Sequence, residues 1–420
     1  MDKILIHGGR PLQGSIKISG SKNSALPIVA ATLLTREPCI LHRVPDLSDT
    51  HYMLQILTHL GAQVERASGT VTVTAEKVDS VAPYDVVRKM RASVCVLGPL
   101  LGRCNEATVS MPGGCVIGDR PIDLHLKGFE ALGAAVRVEG GNVKVFAPKL
   151  VGAVVNLTGK FGPTVLGTDN VMMAATLAEG VTVIEGAATE PEVVDLANFL
   201  NAMGAKICGA GSPTVTITGV TQLHGAEHEV IPDRIEAATF AIAAGATNGE
   251  VTLKGARADH LRAVIDKLHD AGVEVERRGA NLVARRKGRL KSADVTTLPY
   301  SGYPTDAQAQ MMALMTLTPG ISIITERIFE SRFMHVSELG RLGADIEIEG
   351  PTAIVKGGRP LSGAPVMASD LRASAALVIA GLAAKGTTQV NRVYHIDRGY
   401  ENIDGKLRQL GARIQRIEES

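Results

Sequence analysis

Two apolar patterns alternate along the chain. In the first, apolar residues recur at helical spacing, stop at a glycine and give way to an alternating run, as in SDTHYMLQILTHLGAQVER and EVVDLANFLNAMGAKI. Such a pattern predicts a surface helix, a glycine in the left-handed conformation that ends it, and a half-buried strand. Six segments share this ending: HLGAQVER, ALGAAVRV, AMGAKICG, DAGVEVER, RLGADIEI and QLGARIQR. Their glycines, Gly61, Gly133, Gly204, Gly272, Gly343 and Gly411, are 68 to 72 residues apart. So even a period marks a repeated structural unit.

The second pattern comes earlier in each unit. SKNSALPIVAATLLT, RASVCVLGPLLG, GTDNVMMAATLAEG, DRIEAATFAIAAG, TDAQAQMMALMTLTPG and DLRASAALVIAGLAAKG are apolar nearly all round. Helices of that kind are buried. Their expected starts carry Lys22, Arg91, Asp169, Arg234, Asp306 and Arg372. A chain of 420 residues exceeds one ordinary core. The expected architecture is therefore α/β, with six units of strands, one buried helix and one surface helix, divided into two domains of three. Buried helices that aim cationic N-termini into a cleft between two domains make an anion site.

Composition narrows the partners. The formal net charge is +1, which argues against nucleic acid as a main partner. Any anion site must then be local. Trp is absent and aromatic residues make up 3%, so aliphatic side chains fill the cores. Five cysteines without a CxxC pair argue against a disulfide framework or a zinc site. MDKILIHGGR lacks the apolar core of a signal peptide. The longest strongly apolar helix, near Ala373–Ala384, is too short to span a bilayer. A soluble cytoplasmic protein without a membrane partner is expected.

Two residues stand out chemically. Cys115 lies in PGGCVIGDRP, between glycines that let a loop flex and close to Arg120, which favours a thiolate. A small buried residue is the competing reading. Asp306 follows YPT at a helix start. It serves there either as a base or, with Thr305, as an N-cap. Asp370, Glu190 and His395 are candidate supports for the cationic cluster.

The motifs SGSKNSALP (Ser19–Pro27), MRAS (Met90–Ser93), MPGGCVIGDRPIDLHL (Met111–Leu126), YPTDAQAQ (Tyr303–Gln310), FESRFMHVSEL (Phe329–Leu339), SDLRASAALV (Ser369–Val378) and YHIDRGYE (Tyr394–Glu401) occur in order over nearly the whole chain. Together they resemble the UDP-N-acetylglucosamine 1-carboxyvinyltransferases, enolpyruvyl transferases related to the 3-phosphoshikimate 1-carboxyvinyltransferases. The resemblance implies a two-domain inside-out α/β barrel, each domain three repeats of a roughly 70-residue βαβαββ-type unit around buried helices. It implies one domain over 21–229, a second over 1–20 and 230–420, and an active site in the cleft between them.

The implied reaction moves enolpyruvyl from phosphoenolpyruvate to the 3-hydroxyl of UDP-N-acetylglucosamine and releases phosphate, the committed step toward peptidoglycan. No metal or organic cofactor is implied. By family position, Cys115, Asp306, Lys22 and Arg398 are catalytic. Lys22, Asn23, Arg120, Arg332, Arg372 and Arg398 hold phosphoenolpyruvate. Arg91, Arg120, Pro121, Asp123, Leu124, His125, Lys160, Thr164, Asp306 and Ile328 hold the nucleotide sugar. The stretch Phe161–Asn170 departs from the family pattern, and Thr168 competes with Thr164 for the diphosphate. The resemblance also implies alkylation of Cys115 by fosfomycin. Transfer to shikimate 3-phosphate and a non-catalytic repeat scaffold are the competing readings.

Overall fold

The computed structural model describes residues 2–88, 90–111 and 122–418. The chain divides into two compact units, with the divisions after Ser19 and after Ile231. Each unit has its own apolar core. Among the described residues the strands form six four-stranded sheets and one two-stranded hairpin.

The sheet of Val81–Ala82, Glu106–Ser110, Asn142–Phe146 and Ala135–Glu139 shows the repeat. Its first two strands pair in parallel, Val81 opposite Thr108. The other pairs are antiparallel. A parallel pair needs a crossover, and the buried helix Leu97–Cys104 lies between those two strands in sequence. The surface helix Asp123–Ala131 then leads to the antiparallel hairpin. This is the βαβαββ order that the resemblance implies.

Three sheets are completed by distant strands, one of them through the parallel pairing of Gln13–Lys17 with Glu250–Lys254. Glu227–Glu229 pairs in parallel with Cys39–His42. Lys3–His7 lies between Thr387–Asn391 and Arg413–Ile417. In each case a segment far away in sequence supplies the strand.

The six glycines that end the surface helices have φ between +82° and +97°. A side chain there would strain the backbone. Helices Lys22–Ala31, Leu97–Cys104 and Val165–Ala175 are the inner helices of one unit. Arg234–Ala246, Gln308–Thr316 and Leu371–Ala383 are those of the other. Small residues let them approach closely. A Cβ on Gly98 would lie 2.3 Å from the carbonyl oxygen of Asn170 on the neighbouring helix.

Three helix starts differ from the sequence expectation; Asp306 lies in the 3-10 turn Thr305–Ala307, ahead of helix Gln308–Thr316. Asp169 is not at a start. Its helix begins at Val165, because the Thr164 side chain caps it by accepting from the Gly167 N–H. Asp169 therefore lies inside the helix and is buried. Arg91 opens a 3-10 stretch, Arg91–Val96, and the α-helix proper runs from Leu97. Pro99 then falls in its first turn, where no N–H is needed.

Candidate active site

In the unit containing residues 20–111 and 122–231, Lys22 is the first residue of its helix, and Ser21 caps that helix. The Lys22 Nζ lies 2.7 Å from Asp49 Oδ2, and both side chains are largely buried. Asn23 follows on the same turn. One residue further, the Ser24 hydroxyl donates to the Asp195 carboxylate. Asp195 also accepts from the Ile231 N–H at 3.2 Å and lies 2.9 Å from His228 Nε2. The start of the Lys22 helix is thereby tied to the last strand of its own unit.

Asn170 organises a second group. Its side chain accepts from the Gly98 N–H at 2.8 Å and donates to the Val94 carbonyl at 3.0 Å. It also lies 2.9 Å from His125 Nδ1. Burial, with Arg91 nearby, pushes His125 down to about 4. The ring is then neutral at pH 7, and an Nδ1 that accepts from Asn170 leaves the proton on Nε2. Asp123 opens the same helix and is exposed. Leu124 packs on the strand at Gly159, where an added Cβ would lie 3.0 Å from Leu124 Cδ1.

Lys160 and Phe161 form the exposed two-residue turn of the hairpin Thr158–Gly159 and Gly162–Pro163, with the ammonium 4.6 Å from the ring centroid. The departing stretch thus reads as a hairpin turn followed by a capped helix. The structure also separates the two threonines. The Thr168 hydroxyl donates to the Thr164 carbonyl at 2.7 Å, so its proton is committed. Thr164 accepts through its hydroxyl and retains its own proton.

The other unit brings three predicted residues together. Asp306 Oδ1 accepts from Arg332 Nη1 at 2.9 Å, and Oδ2 accepts from Arg372 Nη2 at 3.1 Å. Both arginines are buried. The N-cap reading fails for Asp306 and Thr305, since the cap position is Pro304 and no side chain caps that turn. Asp370 caps the Arg372 helix instead, accepting from the N–H groups of Arg372 and Ala373. Arg372 lies over the Tyr400 ring, 5.3 Å from its centroid. Burial opposes the guanidinium charge, but the Asp306 carboxylate, Tyr400 and Asp233 together hold Arg372 above its ordinary value. Arg372 Nε and Nη1 are buried and have no hydrogen-bond partner among the described residues. Buried, charged N–H groups without an acceptor fit an anionic ligand.

Arg398 is half-buried beside the start of the Arg372 helix. Its neighbour Gly399 meets Leu371 so closely that a Cβ would lie 2.5 Å from Leu371 Cδ1. Ile328 is half-buried in the loop after strand Gly320–Thr325. His395 is lowered by burial and by Arg398. Cys115, Arg120 and Pro121 lie outside the described residues.

The sequence reading missed Asp49, Glu326, Gln310 and Tyr400. Gln310 Nε2 donates to the Asp306 carbonyl at 2.8 Å and lies 3.1 Å from the Tyr400 hydroxyl. The signal available was a polar residue on an otherwise apolar helix, as with Gln310 in DAQAQMMALM. Asp49 and Glu326 carried no such mark. Among the described residues, no group of three or more His, Cys, Asp or Glu side chains is placed to hold a metal ion.

The arrangement of α/β repeats and clustered arginines has known counterparts. A family model described as EPSP synthase (3-phosphoshikimate 1-carboxyvinyltransferase) matches residues 6–407, and the chain belongs to that family of enolpyruvyl transferases. A solved enolpyruvyl transferase, NikO from Streptomyces tendae, superposes with a TM-score of 0.89 at 25% identity, covering 99% of this chain and 98% of that one. EPSP synthase from Acinetobacter baumannii shares the fold, with a TM-score of 0.73 at 17% identity over 100% of both chains. Within the family, the chain is 58% identical over 417 residues to UDP-N-acetylglucosamine 1-carboxyvinyltransferase of Methylacidiphilum infernorum, covering 99% of each. It is 56% identical over 420 residues to the enzyme of that name from Akkermansia muciniphila, again covering 99% of each.

Proposed function

We propose that the protein transfers the enolpyruvyl group of phosphoenolpyruvate to the 3-hydroxyl of UDP-N-acetylglucosamine, with release of phosphate, as the committed step of peptidoglycan synthesis. The full-length identity to enzymes of that name supports the acceptor. Asp306 held between Arg332 and Arg372, with Arg372 Nε and Nη1 lacking hydrogen-bond partners among the described residues, is the observation that carries the chemistry.

The reaction runs by addition and elimination. The methylene carbon of phosphoenolpyruvate takes a proton, and the sugar oxygen bonds to C2, giving a tetrahedral ketal. Loss of a methyl proton and of phosphate then restores the double bond. Asp306 accepts the hydroxyl proton. Its two arginines keep that carboxylate ionised beforehand and place positive charge beside the substrate anion. Lys22, Asn23, Arg120, Arg332, Arg372 and Arg398 hold phosphoenolpyruvate. A phosphate and a carboxylate on one small molecule require several cations, and guanidinium forks suit both. Cys115 acts in proton transfer or product release.

Arg91, Arg120, Pro121, Asp123, Leu124, His125, Lys160, Thr164 and Ile328 receive the nucleotide sugar, with Asp306 at its 3-hydroxyl. Thr164, which retains its hydroxyl proton, is the better diphosphate donor of the two threonines. No described helix is long and apolar enough to cross a membrane. A cytoplasmic location belongs to the proposal.

The test is phosphate release from phosphoenolpyruvate with UDP-N-acetylglucosamine or with shikimate 3-phosphate. Release with the nucleotide sugar alone is expected. Release with shikimate 3-phosphate alone overturns the acceptor, and release with neither overturns the transferase.

A further inference from the structure

Glu326 follows strand Gly320–Thr325 and is completely buried. A buried carboxylate requires donors, and Glu326 has three. Its Oε2 accepts from the Thr297 hydroxyl at 2.9 Å and from the Phe329 N–H at 3.2 Å. Its Oε1 accepts from the Thr305 hydroxyl at 2.8 Å. Two of these donors flank the site. Thr305 immediately precedes Asp306, and Phe329 belongs to the loop that leads to Arg332 and places its ring 5.8 Å from that guanidinium.

The direction of these bonds matters. A hydroxyl has one proton. Thr305 gives that proton to Glu326, so only its lone pairs face Arg332. Arg332 Nη1 donates to them at 3.0 Å, and the same nitrogen donates to Asp306 Oδ1 at 2.9 Å. The chain therefore runs from Asp306 through Arg332 and Thr305 to Glu326, with every donor and acceptor matched.

We propose that Glu326 is a positioning residue for the transfer, fixing the Thr305 hydroxyl so that Arg332 is delivered onto Asp306. This rests on the assignment of Asp306 as the base. Burial pushes the Glu326 carboxyl up, while the bonds from Thr305, Phe329 and Thr297 oppose that rise. The group is thus held by its partners rather than by water.

Glu326→Gln tests the direction. Its amide has one acceptor oxygen and brings two N–H donors. Thr305 then accepts from the amide and turns its proton toward Asp306, in competition with Arg332. A carboxylate that loses a neighbouring cation titrates at higher pH. Three results are expected: the acid limb of the kcat profile moves to higher pH, kcat falls by about 10²-fold as for a small misplacement, and KM for the nucleotide sugar changes little. A purely structural role would lower thermal stability and leave the limb in place.

Thr305→Val is the second variant, since it breaks the chain without removing a charge. Adding Glu326→Gln to Thr305→Val is expected to move the limb no further, because the two residues act through one path. Carboxyl-carbon NMR of Asp306 in the free protein gives a readout independent of turnover. A higher Asp306 titration in Glu326→Gln supports the proposal even if phosphate release fails in the unsubstituted protein. An unchanged titration overturns it, as does full additivity of the two substitutions.

Discussion

Lys22 and Asp49 form a buried ion pair, with Nζ and Oδ2 separated by 2.7 Å. Asp49 comes from the surface helix Ser48–His59, and Lys22 from the start of an inner helix. The pair fixes a flexible side chain that the proposed reaction uses against phosphate. Removing one partner of a buried pair costs about 3–5 kcal/mol, chiefly through the charge left behind. Asp49→Ala is expected to lower the urea midpoint and to raise KM for phosphoenolpyruvate more than KM for the nucleotide sugar. Equal changes in both constants would count against a role for the pair in holding Lys22.

Asp306 gives the sharpest catalytic prediction. General base catalysis contributes about 10²–10⁴-fold. Asp306→Asn keeps the shape and removes the base, so kcat should fall within that range while the nucleotide sugar still binds, as measured by calorimetry. A fall of less than tenfold would assign the base elsewhere.

Arg372→Lys is not conservative at this position. The guanidinium spends Nη2 on Asp306 and has Nε and Nη1 left over. An ammonium cannot supply donors in those fixed directions. KM for phosphoenolpyruvate should rise by one to two orders of magnitude (~10–100-fold), in keeping with the loss of charge-assisted contacts. Recovery of the normal KM in the lysine variant would sink the anion assignment.

Two buried histidines predict acid sensitivity. Burial pushes His125 and His335 down to about 4 from an ordinary 6.5. Between those values the unfolded chain binds the protons and the folded chain does not. Stability therefore falls as pH drops from 6.5 toward 4, and it is fully retained above 6.5. Each histidine should remove about 2 kcal/mol by pH 5. Urea denaturation at pH 7.5 and pH 5 measures the loss. His335→Gln should flatten the dependence, and an unchanged slope would show that the ring protonates freely in the fold.

The thiols predict selective alkylation. Burial pushes Cys39 up to about 11 and raises Cys95 and Cys104 as well. Raised thiols are poor nucleophiles at neutral pH. Cys208 is exposed. Fosfomycin in the presence of UDP-N-acetylglucosamine should therefore modify the peptide carrying Cys115. Mass spectrometry decides it: an adduct on Cys208 or another cysteine, or no adduct, contradicts the assignment.

The repeat was legible because helix ends and burial are written locally. Each of the six surface helices ends at a glycine that the structure holds at positive φ. Each apolar helix body is buried. Asp169 was misplaced for a local reason too, since Thr164 is as good a cap as a charged residue is a start signal. Arg332 and Arg372 were found through motifs. That they share Asp306 could not be read, because these residues lie in three separate segments.

The sequence by itself determined the period, the two helix types and the family. Periodicity and turn residues act over a few neighbouring positions, so one chain segment suffices to show them. Only the tertiary structure decided which charges meet. Lys22 with Asp49, Asp306 with two arginines, and Glu326 behind Thr305 all join segments whose separation in sequence carries no signal. Burial, which turns a polar residue into one that needs a partner, is a property of the packed fold.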